Sequence, residues 1–327
     1  MPDPQHHLQP PVSATGGAPI PWKSLILPLS VLALLSSVAG FQLAHWVNIS
    51  SGQDSQALAD RASLTPRNKS PNATKTDLDD IANLPPQQQV EQLLQNAIQN
   101  RESSIHLLHQ NVDSWRGRIQ NTGPLFDLVL KALTSDDIRV RTAAIEIDLA
   151  ANNLSKSPRS IIELNQKIRR EPTERSFALW RLGSLGNRGV EPEKVLEDLV
   201  TYSRDSNEDT RYWAVQGLAM LGNQDAITPL LDRFAHDPSP RVRQRAGLSL
   251  SLSGMLTHEQ RLAAVPDLLN LLDDDSIDRS TRGWVYGALH LITGATLANS
   301  EQAWQNWWAH HDDHPRRRTA PDSLTRA

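Results

Sequence analysis

The stretch Asp205-Ser-Asn-Glu-Asp-Thr-Arg211-Tyr-Trp-Ala214-Val-Gln-Gly-Leu218-Ala-Met-Leu-Gly222 carries a complete helix in its letters. An acidic turn opens it, where side-chain oxygens cap a helix and negative charge suits its positive end. Counted from Arg211, positions −1, +3, +7 and +10 are Thr210, Ala214, Leu218 and Leu221. Those positions share one stripe of a helix, so the segment needs a partner surface. Gly222 then supplies the left-handed residue that lets a chain leave a helix and turn back.

This segment recurs. Arg141 is followed by Ala144, Arg175 by Ala178 and Leu182, Arg243 by Ala246 and Leu250, and Arg282 by Val285 and Leu289. Successive arginines stand 34, 36, 32 and 39 residues apart. Gly186, Gly222 and Gly254 follow their arginines by eleven residues and Gly294 by twelve, with Asn152 in that place in the first copy. A second marker runs ahead: Pro124, Pro158, Pro192, Pro229 and Pro266 each introduce an apolar helix such as Leu125–Leu133 or Val195–Val200. The turns between the paired helices are Ser135-Asp-Asp137, Asp205–Asp209, Asp237-Pro-Ser239 and Asp273-Asp-Asp275. One hairpin cannot bury its apolar face alone, so the units must stack on a shared core. The expected fold is all-α: a solenoid of about five hairpins with capping helices at Gln87–Gln99, Ser104–Arg118 and around Trp304–Trp308.

Asp137-Ile-Arg-Val-Arg141 and Asp237-Pro-Ser-Pro-Arg-Val-Arg243 resemble the Asp…Val-Arg-x-x-Ala signature of the HEAT-repeat, armadillo-like helical family. Thr210-Arg211 and Thr281-Arg282 are near matches, and Glu174-Arg175 departs at the valine. The resemblance covers roughly residues 120 to 295 and implies stacked hairpins. In it Arg141, Arg175, Arg211, Arg243 and Arg282 are structural signature residues. The Thr293-Gly294 and Trp304-Gln-Asn-Trp307-Trp308 segment is similar to the ends of bacterial membrane-anchored HEAT-repeat proteins, generally taken as scaffolds. That resemblance implies a protein partner.

On the amino side, residues 22–47 carry an apolar run from Leu25 to Val47 free of acids and permanent bases, edged by Trp22 and Trp46. About 20 such residues cross a bilayer, and indoles favour its boundary. A retained single-pass transmembrane anchor is expected; cleavage after the small-residue segment Ser37-Val38-Ala39 is the alternative. Residues 1–21 are Pro-, His- and Gln-rich and read as disordered, residues 48–83 as a flexible linker. Residues 84–314 form the solenoid and 315–327 a disordered basic tail. Lys23 is the close basic flank, and the thin charge asymmetry points to a solenoid outside the cytoplasm.

Composition removes whole classes of chemistry. Zero cysteines excludes disulfides, thiolate zinc sites, iron–sulfur clusters and thioester nucleophiles. With 33 basic against 37 acidic residues, the net charge of −4 disfavours a polyanion binder, so no nucleic-acid partner is expected. His310-His311-Asp-Asp-His314 is the densest group of possible metal ligands, but consecutive positions point apart and it reads as incidental. Gly247-Leu-Ser249-Leu-Ser251 lacks the strand-to-helix turn of a nucleophile elbow, and Gly183-Ser-Leu-Gly186 follows no strand. No catalytic residue, metal or cofactor is expected.

Binding residues are sought at position +2, which holds Phe177, Trp213, Arg245 and Trp284, with Ala143 in the first copy. It lies at the edge of the core stripe, so these side chains either pack on a neighbouring hairpin or form a row of adhesive anchors, aromatics and arginine being favoured at interfaces. Arg241, Arg243 and Arg245 read as a ladder paired with acids plus solvated charge. Trp304, Trp307 and Trp308 read as a lid over the last unit or a docking element. The functional expectation is a membrane-tethered, non-catalytic scaffold or adaptor. The alternatives are an enzyme of similar fold, in the manner of bilin lyases or DNA glycosylases, and a purely structural spacer.

Overall fold

A computed structural model describes residues 80–121 and 123–310. Every regular element among them is helical. Chain order gives α1 (Pro86–Ile98), α2 (Glu102–Asn111), α3 (Pro124–Ala132), α4 (Ile138–Ala151), α5 (Pro158–Arg170), α6 (Arg175–Asn187) and α7 (Pro192–Tyr202). It continues with α8 (Glu208–Leu221), α9 (Ile227–His236), α10 (Pro240–Ser251), the short α11 (His258–Ala263), α12 (Val265–Leu272), α13 (Arg279–Thr293) and α14 (Glu301–Ala309). The five hairpins are α3–α4, α5–α6, α7–α8, α9–α10 and α12–α13. The expected transmembrane segment 22–47, the amino-terminal 1–21, nearly all of the linker and the 315–327 tail lie outside the described residues. No described helix is long and apolar enough to cross a membrane.

The proline markers work because a first-turn residue has no intrahelical partner for its N–H. Pro124, Pro158 and Pro192 each begin a helix, and Pro266 stands second in α12. Pro229 stands third in α9, because a 3₁₀ turn capped by Asn223 brings the chain into the helix early. The polar turns cap as expected at Asp137, but the capping side chains are Asn207 for α8 and Asp278 for α13. Asp273-Asp-Asp275 lies too far upstream to cap. The core stripe is dry: Thr210, Ala214, Leu218 and Leu221 are all buried, as are their counterparts Ala178, Leu182, Val242, Ala246, Leu250, Val285 and Leu289.

Glycine does more than end helices. Gly222 and Gly294 are left-handed caps, as their spacing predicts. Gly186 is instead an interior residue of α6, and Gly254 lies in the loop beyond α10. The closest helix approach comes from a pair the repeat spacing does not flag. A Cβ at Gly183 would stand 2.0 Å from the Gly217 carbonyl oxygen, so α6 and α8 meet backbone to backbone.

The first hairpin breaks the stacking rule. With α1, α2 and the 3₁₀ turn Val112–Trp115 it builds a core of its own, centred on Leu94, Leu108, Trp115, Leu125 and Ile147. In a linear stack a hairpin touches only its neighbours. Here Ile145 of α4 is buried together with Met220 of α8 and Met255 beyond α10, with Ile138 and Trp180 packed on the group. Helix α4 therefore lies across the second helices of later hairpins. Its sequence explains this: Ala143 through Ala150 are all buried, and a helix apolar nearly all round must be covered on every side.

Candidate protein-binding face

The five signature arginines share one local task. Each donates to a carbonyl of the turn six to eight residues upstream: Arg141 to Ser135, Arg175 to Ile168, Arg211 to Asp205, Arg243 to Asp237 and Arg282 to Asp274. Those carbonyls have no helical partner, so the guanidinium closes the end of the first helix of its own hairpin.

Three of the five also reach forward. Arg175 Nη1 lies 3.4 Å from Thr210 Oγ1, and Arg243 Nε 3.0 Å from Thr281 Oγ1, the residue before the next signature arginine in both cases. The residue before Arg243 is Val242, which offers no hydroxyl, and Arg211 instead grips Asp237 with both forks, at 2.9 and 3.1 Å. The Asp237 hydrogen bond, outweighing burial, holds the Arg211 guanidinium above its ordinary pKa. Arg175, Arg211 and Arg243 are thus rivets between hairpins. Arg141 makes no such forward bond to a described residue. It lies close enough to Arg261 of α11 that its charge adds to burial in pushing the Arg261 pKa down to about 9. Arg261 is spent on the carbonyls of Ser249, Leu250 and Ser253, closing α10.

At position +2, Phe177 and Trp213 bring ring centroids within 5.9 Å of each other, so the +2 residues of the second and third hairpins are neighbours. Tyr212 meets Trp213 edge-on at 5.8 Å, Arg181 lies 5.4 Å from the Phe177 ring, and Arg241 4.1 Å from that of Tyr212. Trp213 is buried; Phe177, Arg245 and Trp284 are half-buried. The row packs between hairpins at Phe177 and Trp213, and Phe177, Arg245 and Trp284 keep part of their surface.

The expected acid–arginine ladder forms for two of its three members. Arg241 pairs with Glu208 and Asp209, and Arg243 with Asp278 at 2.5 Å. Arg245 makes no hydrogen bond or ion pair with any described residue, and its Nε is buried without a partner. Burial pushes its pKa down, against a small opposing pull from Tyr212.

The seat of α4 is a second charged feature, and the repeat markers do not signal it. Glu146 is 6% exposed and gathers His109 at 2.8 Å, Arg188 at 3.0 Å and Lys156 at 3.6 Å. Burial alone would raise its pKa, but the His109 hydrogen bond and the charges of Arg188 and Lys156 hold it below the ordinary glutamate value. Asp148 receives Arg181 Nε at 2.8 Å, with Asn121 at the same distance. The available signal was two acids inside the apolar run Ile145-Glu-Ile-Asp-Leu149, since charges buried that deeply need partners.

At the other end, Trp304 is fully buried and meets the His290 ring edge-on at 4.9 Å, closing the last hairpin as a lid. His310 Nδ1 lies 2.7 Å from the Asn306 carbonyl oxygen; the remaining histidines and aspartates of its cluster lie outside the described residues.

The sequence profile of the HEAT repeats family matches residues 161–251, from inside α5 to the end of α10. No curated protein matches the chain. The match coincides with the part of the fold in which hairpins stack in regular succession.

Proposed function

We propose that the chain is a membrane-tethered scaffold or adaptor that binds another protein through the inner face of its second helices and performs no chemistry of its own. HEAT repeats commonly mediate protein interactions, which supports the binding half of this reading. The observation that carries it is the +2 row, where half-buried Phe177, Arg245 and Trp284 flank buried Trp213. Large rigid rings and guanidinium groups, already held in place by neighbouring hairpins, bind with little further loss of side-chain freedom. The tether rests on the apolar run in residues 22–47 and the polar linker after it.

Two measurements test the halves separately. A photo-crosslinking residue replaces Gly283, where an added Cβ meets nothing within 4 Å, directly beside Trp284. Illumination in cells is expected to capture a discrete protein partner, and a diffuse smear equal to that from an exposed site on α1 would refute the binding role. Full-length protein is expected to stay with membranes through alkaline extraction; its release would refute the tether.

A further inference from the structure

Arg245 is held in a way that its neighbours are not. Arg241 and Arg243 have carboxylates within reach, whereas Arg245 is half-buried, with no acid paired to it among the described residues. A desolvated guanidinium without a counter-charge is a cost to the folded chain. It is also a site complementary to an anion brought from elsewhere.

The structure already contains one occupant of this helix face. Seven residues make nearly two helical turns, so positions +2 and +9 share a stripe, with +5 close beside them. At +5 and +9, Trp180 and Met220 are covered by Ile145 of α4. The same segment gives Glu146 to Arg188 and Asp148 to Arg181. What sits there is an aliphatic residue flanked by carboxylates that meet arginines of a second helix. Phe177 and Trp213 lie three and seven residues before Trp180 and Met220 on α6 and α8, and Arg245 and Trp284 hold the same +2 position on α10 and α13.

We propose that the +2 row takes an acidic segment of a partner protein, with a carboxylate on Arg245 and aliphatic neighbours against the half-buried Phe177 and Trp284. This rests on the protein-binding reading above and specifies its partner. The occupant repeats the chemistry of Ile145-Glu146-Ile147-Asp148 on the other half of the stripe. Nucleic acid fits poorly, because its affinity comes from many neutralised phosphates. The row offers one unpaired guanidinium, with Glu208 and Asp209 close by on α8.

The test uses the full chain and two fluorescein-labelled decapeptides, one alternating alanine with glutamate and one alanine with lysine. The glutamate peptide is expected to bind, more weakly as salt rises, and the lysine peptide not to bind. Arg245→Met is expected to lower affinity for the glutamate peptide roughly tenfold or more. Its thermal midpoint should hold or rise, since the substitution removes an unpaired charge while keeping the aliphatic stem. Equal binding of both peptides, an Arg245→Met chain that binds as well as the parent, or tighter binding of a single-stranded oligonucleotide would each overturn the proposal. Crosslinking from position 283 separates the two levels. A partner captured equally by the parent and Arg245→Met chains overturns the acidic-segment inference and leaves the binding role standing. If neither chain captures a partner, the binding role falls, and the peptide titration still decides the chemistry of the row.

Discussion

Arg211 shows how much of the stack hangs on one side chain. Its forked guanidinium holds Asp237 of the next hairpin and the Asp205 and Ser206 carbonyls of its own. The Asp237 carboxylate is fully buried, so Arg211→Ala strands it with Arg233 Nη1 at 3.6 Å and the Ser239 N–H at 2.9 Å. Breaking a buried pair from one side costs about 3–5 kcal/mol, and the remaining Arg233 points to the lower end, about 3 kcal/mol. Arg211→Lys keeps the charge but loses the fork, and should fall between parent and alanine. Urea unfolding of the three chains checks this; an alanine variant within about 1 kcal/mol of the parent would show that the rivet is not what joins the third and fourth hairpins.

Helix α4 behaves differently from the other second helices, and the difference is electrostatic as well as apolar. Glu146 is ionised inside the fold because His109, Arg188 and Lys156 surround it, with Asp113 in turn on Lys156. Its folded pKa lies below the ordinary 4.5, so the folded state binds its proton less readily than the unfolded chain. That contribution to stability is complete above about pH 4.5 and is lost as pH falls through the lower folded value. Glu146→Gln should cost about 2 kcal/mol at pH 7, in the range for a buried charged hydrogen bond. The gap between parent and variant should close as acid is added below pH 4.5, measured by urea midpoints from pH 7 to pH 3. A gap that stays constant would mean that the carboxylate is not the holding group. The five hairpins and their stripes were legible because proline and arginine punctuate every copy, and an acidic turn and a glycine most of them. The seat of α4 was not: Ile145 and Ile147 announce burial on more than one side, but nothing in their spacing says that Met220 and Met255 supply the cover. Arg245 was hidden for the same reason. Whether an arginine finds an acid depends on residues some 30 positions away, as with Arg241 and Asp209 or Arg243 and Asp278.

These two patterns divide the described protein into a regular stack, α5 to α14, and an amino-terminal group, α1 to α4, that folds back over it. The amino-terminal group has its own apolar core, and the seam between it and the stack is narrow: Ile145 on Met220 and Met255 with Trp180 beside them, Glu146 and Asp148 on Arg188 and Arg181, and Lys156 on Glu146 and Asp113. Helical repeats gain stability from nearest-neighbour interfaces, so a stack keeps folding when a terminal partner is removed. Residues 155–310 expressed alone should therefore remain helical and unfold cooperatively, at a lower temperature than the whole. The deletion uncovers Trp180, Met220 and Met255 while leaving Arg181 and Arg188 without their acids. Tryptophan emission should shift to the red, and binding of an apolar dye should rise relative to the longer chain. Adding separately expressed residues 80–154 should reverse both changes, less completely at high salt, because charged contacts carry part of the seam. Loss of the far-ultraviolet helical signal on deletion would show instead that α4 is an integral layer of one cooperative core, and that its crossing over the later hairpins is what holds the stack together.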